Sequence, residues 1–553
     1  MASGKAWNRR AALVGGVALA GIGGYAALRE PSGGNIRHNI PDARTFRRGN
    51  GSEPQSLDPT ISTGIQDDGI NGDLMMGLIT EDPEARPIPG MAERWTTSPD
   101  GLTWTFFLRE ALWSDGVPVT AEDFVFSWRR ILDPAIAAPY AYFLYLVKNA
   151  AAINAGKMPP SALGAVARDA RTFEVHLEHP APYMIEMLMH HSTYPLPSHV
   201  VRAKGKEWAR PGNHVGNGAF KLVRWRPNDH VLAEKNPRFF DAANVALERI
   251  FYYPTDDYGA ALQRMRAGEL DVQMRLPAGR IDWIRANMPG TTNTEPQLII
   301  EYILVNQKRT PFGDIRVREA INLALNREAI AQRIRRVGDI PAYALVPPTT
   351  ANYPGGTEFA FKSMPYPARL ERARALMRAA GYSENNMLKT TYMIRSTAPG
   401  AYRAVAAAIQ QMWAQAFINV TILPTDFQVF LAQTQNHDFD IAEAGWVADF
   451  NDAATFLELL QTGGGNNDGQ YSNPAFDGML AAAQRDRDIV SRGQKLAAAE
   501  AIALTDHAIM PLYFTASTVL VWPYVKGWGN NGIEKHRARW ISIDQAARLK
   551  QFT

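Results

Sequence analysis

MAERWTTSPDGLTWTFFLREALWSDGVPVTAEDFVFSWRR, residues 91–130, carries a strand pattern, a turn and a helix pattern in one uninterrupted run. Thr103, Trp104, Thr105, Phe106, Phe107, Leu108 and Arg109 combine β-branched and aromatic residues with partial alternation, which predicts a strand. Trp113-Ser114-Asp115-Gly116 supplies turn chemistry. From Thr120, an N-cap before Ala121, Glu122 and Asp123, the apolar residues Phe124, Val125, Trp128 and Ile131 recur at helical spacing as far as Asp133-Pro134. Working outward, the same mixture returns. After Pro311-Phe312-Gly313-Asp314, Val317, Ile321, Ala324 and Leu325 form an apolar stripe, with Arg316, Arg318 and Glu319 expected to face solvent. Helical stripes over 368–380, closed by Gly381, and over 401–417 precede a strand pattern at Asn419-Val420-Thr421-Ile422-Leu423. No internal repeat is visible, and the mixture predicts an α/β fold.

The chain has 553 residues. Single hydrophobic cores stop growing at roughly 250 to 300 residues, so two or three domains with a cleft between them are expected. Lys+Arg 58 against Asp+Glu 55 leaves a formal charge of +3. With no block of basic residues to track a phosphate backbone, nucleic acid is excluded as a partner. Cysteine is absent, which removes cysteine nucleophiles, zinc ribbons, iron–sulfur clusters, disulfides and lipid attachment through a leading cysteine. Lys5, Arg9 and Arg10 precede the uncharged residues 11–28, the layout of an export signal, so residues 1–30 are expected to direct the chain out of the cytoplasm. Eighteen helical residues span about 27 Å, short for a membrane anchor. Five of them are glycines. Cleavage after Ala18-Leu19-Ala20 is expected, with an uncleaved inner-membrane tether as the alternative. Arg9-Arg10 fits either twin-arginine export or an ordinary basic leader.

The spacings that chemistry requires are mostly missing. There is no GxSxG elbow, no HExxH and no GxxxxGK[ST] loop. His176, His179, His190 and His191 form the densest histidine group, but His176 sits in the strand pattern 173–177, and surface or loop positions are the expected role. Asp438 and Asp440 flank Phe439, as caps and turns commonly do. Asp449 differs in following Ala444-Gly445-Trp446-Val447-Ala448, a small and apolar run after the strand pattern 439–442. A carboxylate there is either a cap or a shielded anion awaiting a cation. No catalytic residue, metal or cofactor is expected.

At these residues the chain resembles the extracytoplasmic solute-binding family that serves peptide ABC importers. The resemblance covers nearly everything after residue 45 and rests on SEPQSLDPT (52–60), residues 91–130, NGAFKLVRW (217–225), TPFGDIRVREAINLALNREAI (310–330), AGWVADFND (444–452) and YSNPAFDGML (471–480). It implies a periplasmic-binding-protein-like, three-lobed fold with a hinged cleft. Lobe I would comprise 31–75, 199–298 and 517–553, lobe II 76–198 and lobe III 299–516. It implies a monomeric, non-catalytic receptor that encloses an oligopeptide between lobes I and III and delivers it to permease subunits in the inner membrane. By the same resemblance Asp449 would bind the peptide's ammonium. Gly445 and Val447 would form one backbone rail, and Gly64 and Ile65 the other. Tyr140, Trp446, Phe427 and Tyr513 would line the pocket. A receptor for nickel, haem, an opine or a sugar-like solute is the alternative on this fold, and an exported hydrolase a more distant one.

The chain also departs from the family pattern. Glu443 stands where close oligopeptide binders have an arginine for a peptide carboxylate, Thr63 where an acidic residue assists the ammonium site, and Thr434 where another carboxylate-seeking arginine lies. Val447 and Ile299 replace a cysteine pair of some relatives. Two readings of Glu443 stand: it faces a ligand that is cationic or lacks a carboxylate at that point, or it points to solvent or pairs with an arginine of the protein.

Overall fold

The computed structural model describes residues 41–552 apart from Ala278, Gly356, residues 397–399, Asp449 and Asn530. The export-type segment, the ammonium candidate Asp449 and the side chain of Phe427 therefore lie outside the described residues.

The run 91–130 forms what its pattern predicts. Thr103–Leu108 is a strand of a four-stranded antiparallel sheet with Ala92–Thr97, Thr172–His176 and Ala165–Ala167. Gly116 closes the turn at φ 100° by donating to the Trp113 carbonyl at 2.8 Å. The helix Ala121–Ile131 is capped by Asp123, whose carboxylate accepts the Thr120 N–H at 3.0 Å and the Ser198 hydroxyl at 2.8 Å. Its apolar stripe meets the sheet through Trp128, edge-on to Phe173 at 5.0 Å.

Eleven strands make the main sheet: β1 (Thr45–Gly49), β2 (Phe220–Arg226), β3 (His230–Lys235), β4 (Arg249–Tyr253), β5 (Val272–Gln273), β6 (Thr292–Val305), β7 (Ile340–Pro341), β8 (Leu388–Arg395), β9 (Ile418–Thr425), β10 (Ile441–Val447) and β11 (Met510–Val521). Their order is β9-β8-β10-β6-β11-β5-β1-β4-β3-β2, with β7 beside β11. β6 and β11 lie side by side at the centre of this order and join its two halves. Their antiparallel ladder holds one register from Thr292↔Leu520 to Pro296↔Ala516, then shifts before Ile300↔Phe514. Buried apolar residues fall into one large core drawn from 46–288 and 519–543 and two smaller ones drawn from 298–514. A second shift follows between Glu301 and Tyr302, and it is β11 that passes from the first core, at residues 519–521, to the others, at residues 510–514.

Two local expectations change. Arg318, expected to face out, is only 7% exposed. Its guanidinium turns back to the carbonyls of Phe312, Gly313 and Asp506, which replace water as its partners. The helix expected over 401–417 spans Gly400–Ala414, and Phe417 at φ 63° turns the chain into β9.

Candidate ligand-binding cleft

The C-terminal part of β10 has an open edge. Ile299↔Val447 through Val305↔Ile441 pair β6 with β10. The Ala448 N–H donates to Leu298 at 2.9 Å and the Asn306 N–H to Asp440 at 3.0 Å. In an antiparallel ladder hydrogen-bonded and non-bonded pairs alternate. The even-numbered residues of β10 therefore bond to β6, while Gly445 and Val447 direct their N–H and C=O groups away from it. On that side β8 pairs only with Ile441 and Ala442 among the described residues. Gly445 and Val447 thus present two donors and two acceptors on a free strand edge, and the Val447 side chain is 63% exposed.

Close packing explains the glycine. A Cβ at Gly445 would lie 2.9–3.1 Å from the Glu301 carboxylate directly opposite. Burial, opposed by Arg395 and reinforced by Glu443, pushes Glu301 up to about 7. Tyr402 donates to Glu301 at 3.2 Å. Glu443 accepts from the backbone N–H and Nε of Arg395, at 2.6 and 2.8 Å. On the opposite face of β10, Trp446 packs against the core drawn from 298–514 and donates its indole N–H to Thr455 at 3.1 Å. Tyr513 is 1% exposed, its ring inside a core with the Arg335 guanidinium 5.0 Å away. Thr434 is buried and donates to the Leu431 carbonyl within its own helix.

Thr63, Gly64 and Ile65 stand at the start of helix α1 (Ile65–Leu74). The Gly64 N–H donates to Asp67 at 3.1 Å, and the other Asp67 oxygen takes the Gln55 N–H at 2.9 Å, so the loop before α1 is locked from inside. Burial raises Asp67. Thr63 and Ile65 are exposed, Ile65 by 57%. The first N–H groups of a helix have no acceptor within it, so the Ile65 end offers donors as well. Behind it, His191 bonds Asp68 at 2.9 Å and the Ser62 carbonyl at 3.1 Å. Burial opposes ionisation of Asp68, but Arg537, Lys535 and His191 together hold it well below the usual carboxylate range. Tyr140 is half-buried, its ring edge-on to His190 at 4.6 Å and to His191 at 5.8 Å. The four histidines do not converge: His176 pairs with Glu174 and His191 with Asp68, and no group that could hold a metal ion occurs among the described residues.

Sequence reasoning missed a seam beside the Asp449 segment. Tyr183 and Phe450 stack at 4.5 Å and 10°, next to a cavity of about 250 Å³ lined by Tyr142, Phe143, Tyr183, Met187 and Phe450. Glu186, 7% exposed, accepts one long bond from Asn352 at 3.4 Å, and its second oxygen has no partner among the described residues. Burial and Asp452 push it up to about 8. A carboxyl raised on folding favours the folded state fully below its unfolded value, near 4.3, and loses that contribution as pH climbs through 8. Glu186→Gln should therefore flatten the decline in urea stability between pH 5 and 8; an unchanged slope would remove Glu186 as its source. Glu301 and Arg395 were missed too. The signal for Glu301 is a charge inside the apolar run 298–305, but its neighbours depend on strand register.

The sequence profile of the bacterial extracellular solute-binding proteins, family 5 (middle), matches residues 86–468. The chain belongs to this family. It is 36% identical over 494 residues to the periplasmic oligopeptide-binding protein OppA of Salmonella typhimurium, covering 88% of this chain and 90% of that one. Among solved structures, the periplasmic murein tripeptide binding protein MppA in its unliganded open form superposes with a TM-score of 0.86 at 31% identity, over 91% of this chain and 98% of that one. Haemophilus influenzae OppA in complex with RPPGFSPFR gives 0.67 at 34% identity, over 91% and 99%. Sequence distance does not explain the gap, because the more similar sequence superposes less well. This family-5 chain superposes better on the unliganded open form than on the peptide complex.

Proposed function

We propose that this family-5 protein is the substrate-binding component of an ABC peptide importer. It captures oligopeptides in the periplasm and delivers them to permease subunits in the inner membrane; it is not an enzyme. The observation that carries the reading is the free edge of β10. An extended peptide gains main-chain hydrogen bonds by adding to such an edge whatever its side chains, which is how one site accepts many sequences. The name of the Salmonella relative and the peptide in the Haemophilus complex agree with it.

In this reading Asp449 takes the ligand's ammonium, Gly445 and Val447 pair with its backbone, Thr63, Gly64 and Ile65 meet it from the other side, and Trp446, Tyr140, Phe427 and Tyr513 shape the surroundings. Lobe I comprises 31–75, 199–298 and 517–553, lobe II 76–198 and lobe III 299–516. The division of the apolar cores supports the boundaries of lobe III alone, since proposed lobes I and II share one core. The register shift between Pro296 and Ile300 in the β6–β11 ladder is a place where rotation costs few ladder bonds, as hinge closure requires. Residues 1–30 direct export and are cleaved, the protein then acting as a free monomer rather than a tethered one.

Two measurements test this. Calorimetry with alanine oligopeptides should show saturable binding, and X-ray scattering should show the radius of gyration falling as the peptide saturates. Amide exchange should slow at the same time at Gly445, Val447 and Ile65. Saturable binding with unchanged scattering would reject closure; no binding of any peptide would reject the peptide ligand.

A further inference from the structure

We propose that Arg395 is the carboxylate-binding group of the cleft, a guanidinium fork held beside the open edge of β10 by Glu443. This assignment rests on the peptide reading. Arg395 ends β8, and its side chain is 30% exposed. One oxygen of Glu443 accepts both its backbone N–H and its Nε–H, so backbone and guanidinium are fixed by a single buried carboxylate. The far end of the fork is left over. Nη1 has no acceptor among the described residues, and Nη2 stands 4.0 Å from Glu301, beyond hydrogen-bond reach. Paired N–H donors in one plane match a carboxylate bidentately, which a lysine could not reproduce. The Tyr402 ring, 5.8 Å from the Arg395 guanidinium carbon, restricts its other side. An extended ligand pairing with Gly445 passes this fork, because β8 stops pairing with β10 where the free edge begins.

The surrounding charges set the sign of the pH response. Glu301 is faced by Arg395 from β8, Glu443 from β10, Tyr402 from the helix Gly400–Ala414, Arg335 from the π-helix Ala329–Arg335 and Tyr513 from β11. Asp339 already pairs with Arg335 at 2.7 Å. With Glu301 ionised this cluster carries one surplus negative charge; with Glu301 protonated it is neutral. Glu301 stands near 7, so an arriving carboxylate should draw a proton onto it. Binding of a free acid should then be tighter below pH 7 and weaken above it. A ligand cation held by Glu301 and Glu443 would do the opposite and release a proton.

The test uses the full-length protein and alanine tri-, tetra- and pentapeptides, each as the free acid and as the C-terminal amide. Calorimetry at pH 7 in two buffers of different ionisation enthalpy counts protons. At one of these lengths the free acid should bind about tenfold or more tightly than its amide, with net proton uptake. Arg395→Gln should erase that preference, the acid and the amide then binding with equal affinity, and a cooperative urea transition checks that the variant is folded. Glu443→Gln, a change at the positioning residue, should weaken the preference without abolishing amide binding. Equal affinity of acid and amide at every length, or proton release on binding, would overturn the assignment and leave the peptide reading intact. If no peptide bound in either form, the peptide reading would fall and this assignment with it.

Discussion

Asp449→Asn should weaken the binding of oligopeptides with a free amino terminus by about 30- to 5,000-fold, and N-acetylated peptides should bind the two proteins alike. The range corresponds to the 2 to 5 kcal/mol typically lost when one partner of a desolvated, hydrogen-bonded charge pair is truncated. The neighbours of Asp449 support so large an effect. Val447, two residues earlier, ends the free strand edge on which a peptide would lie. Phe450, the next residue, is stacked on Tyr183, and Asp452 is buried. In sequence Asp449 falls between this edge and Phe450, whose ring packs on Tyr183, and a carboxylate is worth most to an ammonium where water is excluded. Asparagine keeps the shape and one acceptor but loses the charge, so its effect isolates the electrostatic part. Equal binding of free and acetylated peptides by the parent protein would rule out ammonium recognition.

Local features were legible because they are written in neighbouring residues. The strand Thr103–Leu108, its turn and the helix Ala121–Ile131 each depend on a pattern that closes within a few positions. The apolar stripe of Val317 and Ile321 was equally visible, yet Arg318 between them escaped. Periodicity assigns a face by position alone, whereas a long guanidinium stem can return to carbonyls in the turn that precedes its own helix. The site divides in the same way. Glycine and an exposed valine at 445 and 447 were found through motif resemblance, and their outward backbone groups follow from a ladder that no single segment specifies. Glu443 was flagged as a reversed charge, but its partner Arg395 is 48 positions away on a parallel neighbour. The Glu186 seam involves residues 166 positions apart. Such pairings depend on tertiary register, which is set by the sum of packing in the cores and has no local signature.

Asp452→Ala should destabilise the half of the protein built on residues 298–514 by about 3 to 5 kcal/mol, the usual cost of leaving one member of a buried ion pair uncompensated. Asp452 and Arg492 are 2% and 1% exposed at their side chains and meet through two parallel bonds of 2.5 and 2.8 Å. Asp452 also accepts the Ala454 N–H at 2.9 Å, starting the helix Ala454–Leu457. One carboxylate thus ties the segment after Asp449 to the helix Ile489–Thr505. Alanine removes the tie and strands a guanidinium whose remaining neighbour among the described residues is the Tyr183 ring, 5.8 Å away. Urea unfolding followed by hydrogen exchange in that half should show the loss, while the core drawn from 46–288 should be spared because its apolar residues are separate. Replacing both partners, Asp452→Leu with Arg492→Met, should recover most of the stability, since burying two matched apolar groups avoids the uncompensated charge. Peptide affinity should not return with it. The expected second role of the pair is to orient the chain at Asp452, and an apolar contact lacks the fork geometry that would do so. Recovery of both stability and affinity in the double variant would show that packing alone orients this segment.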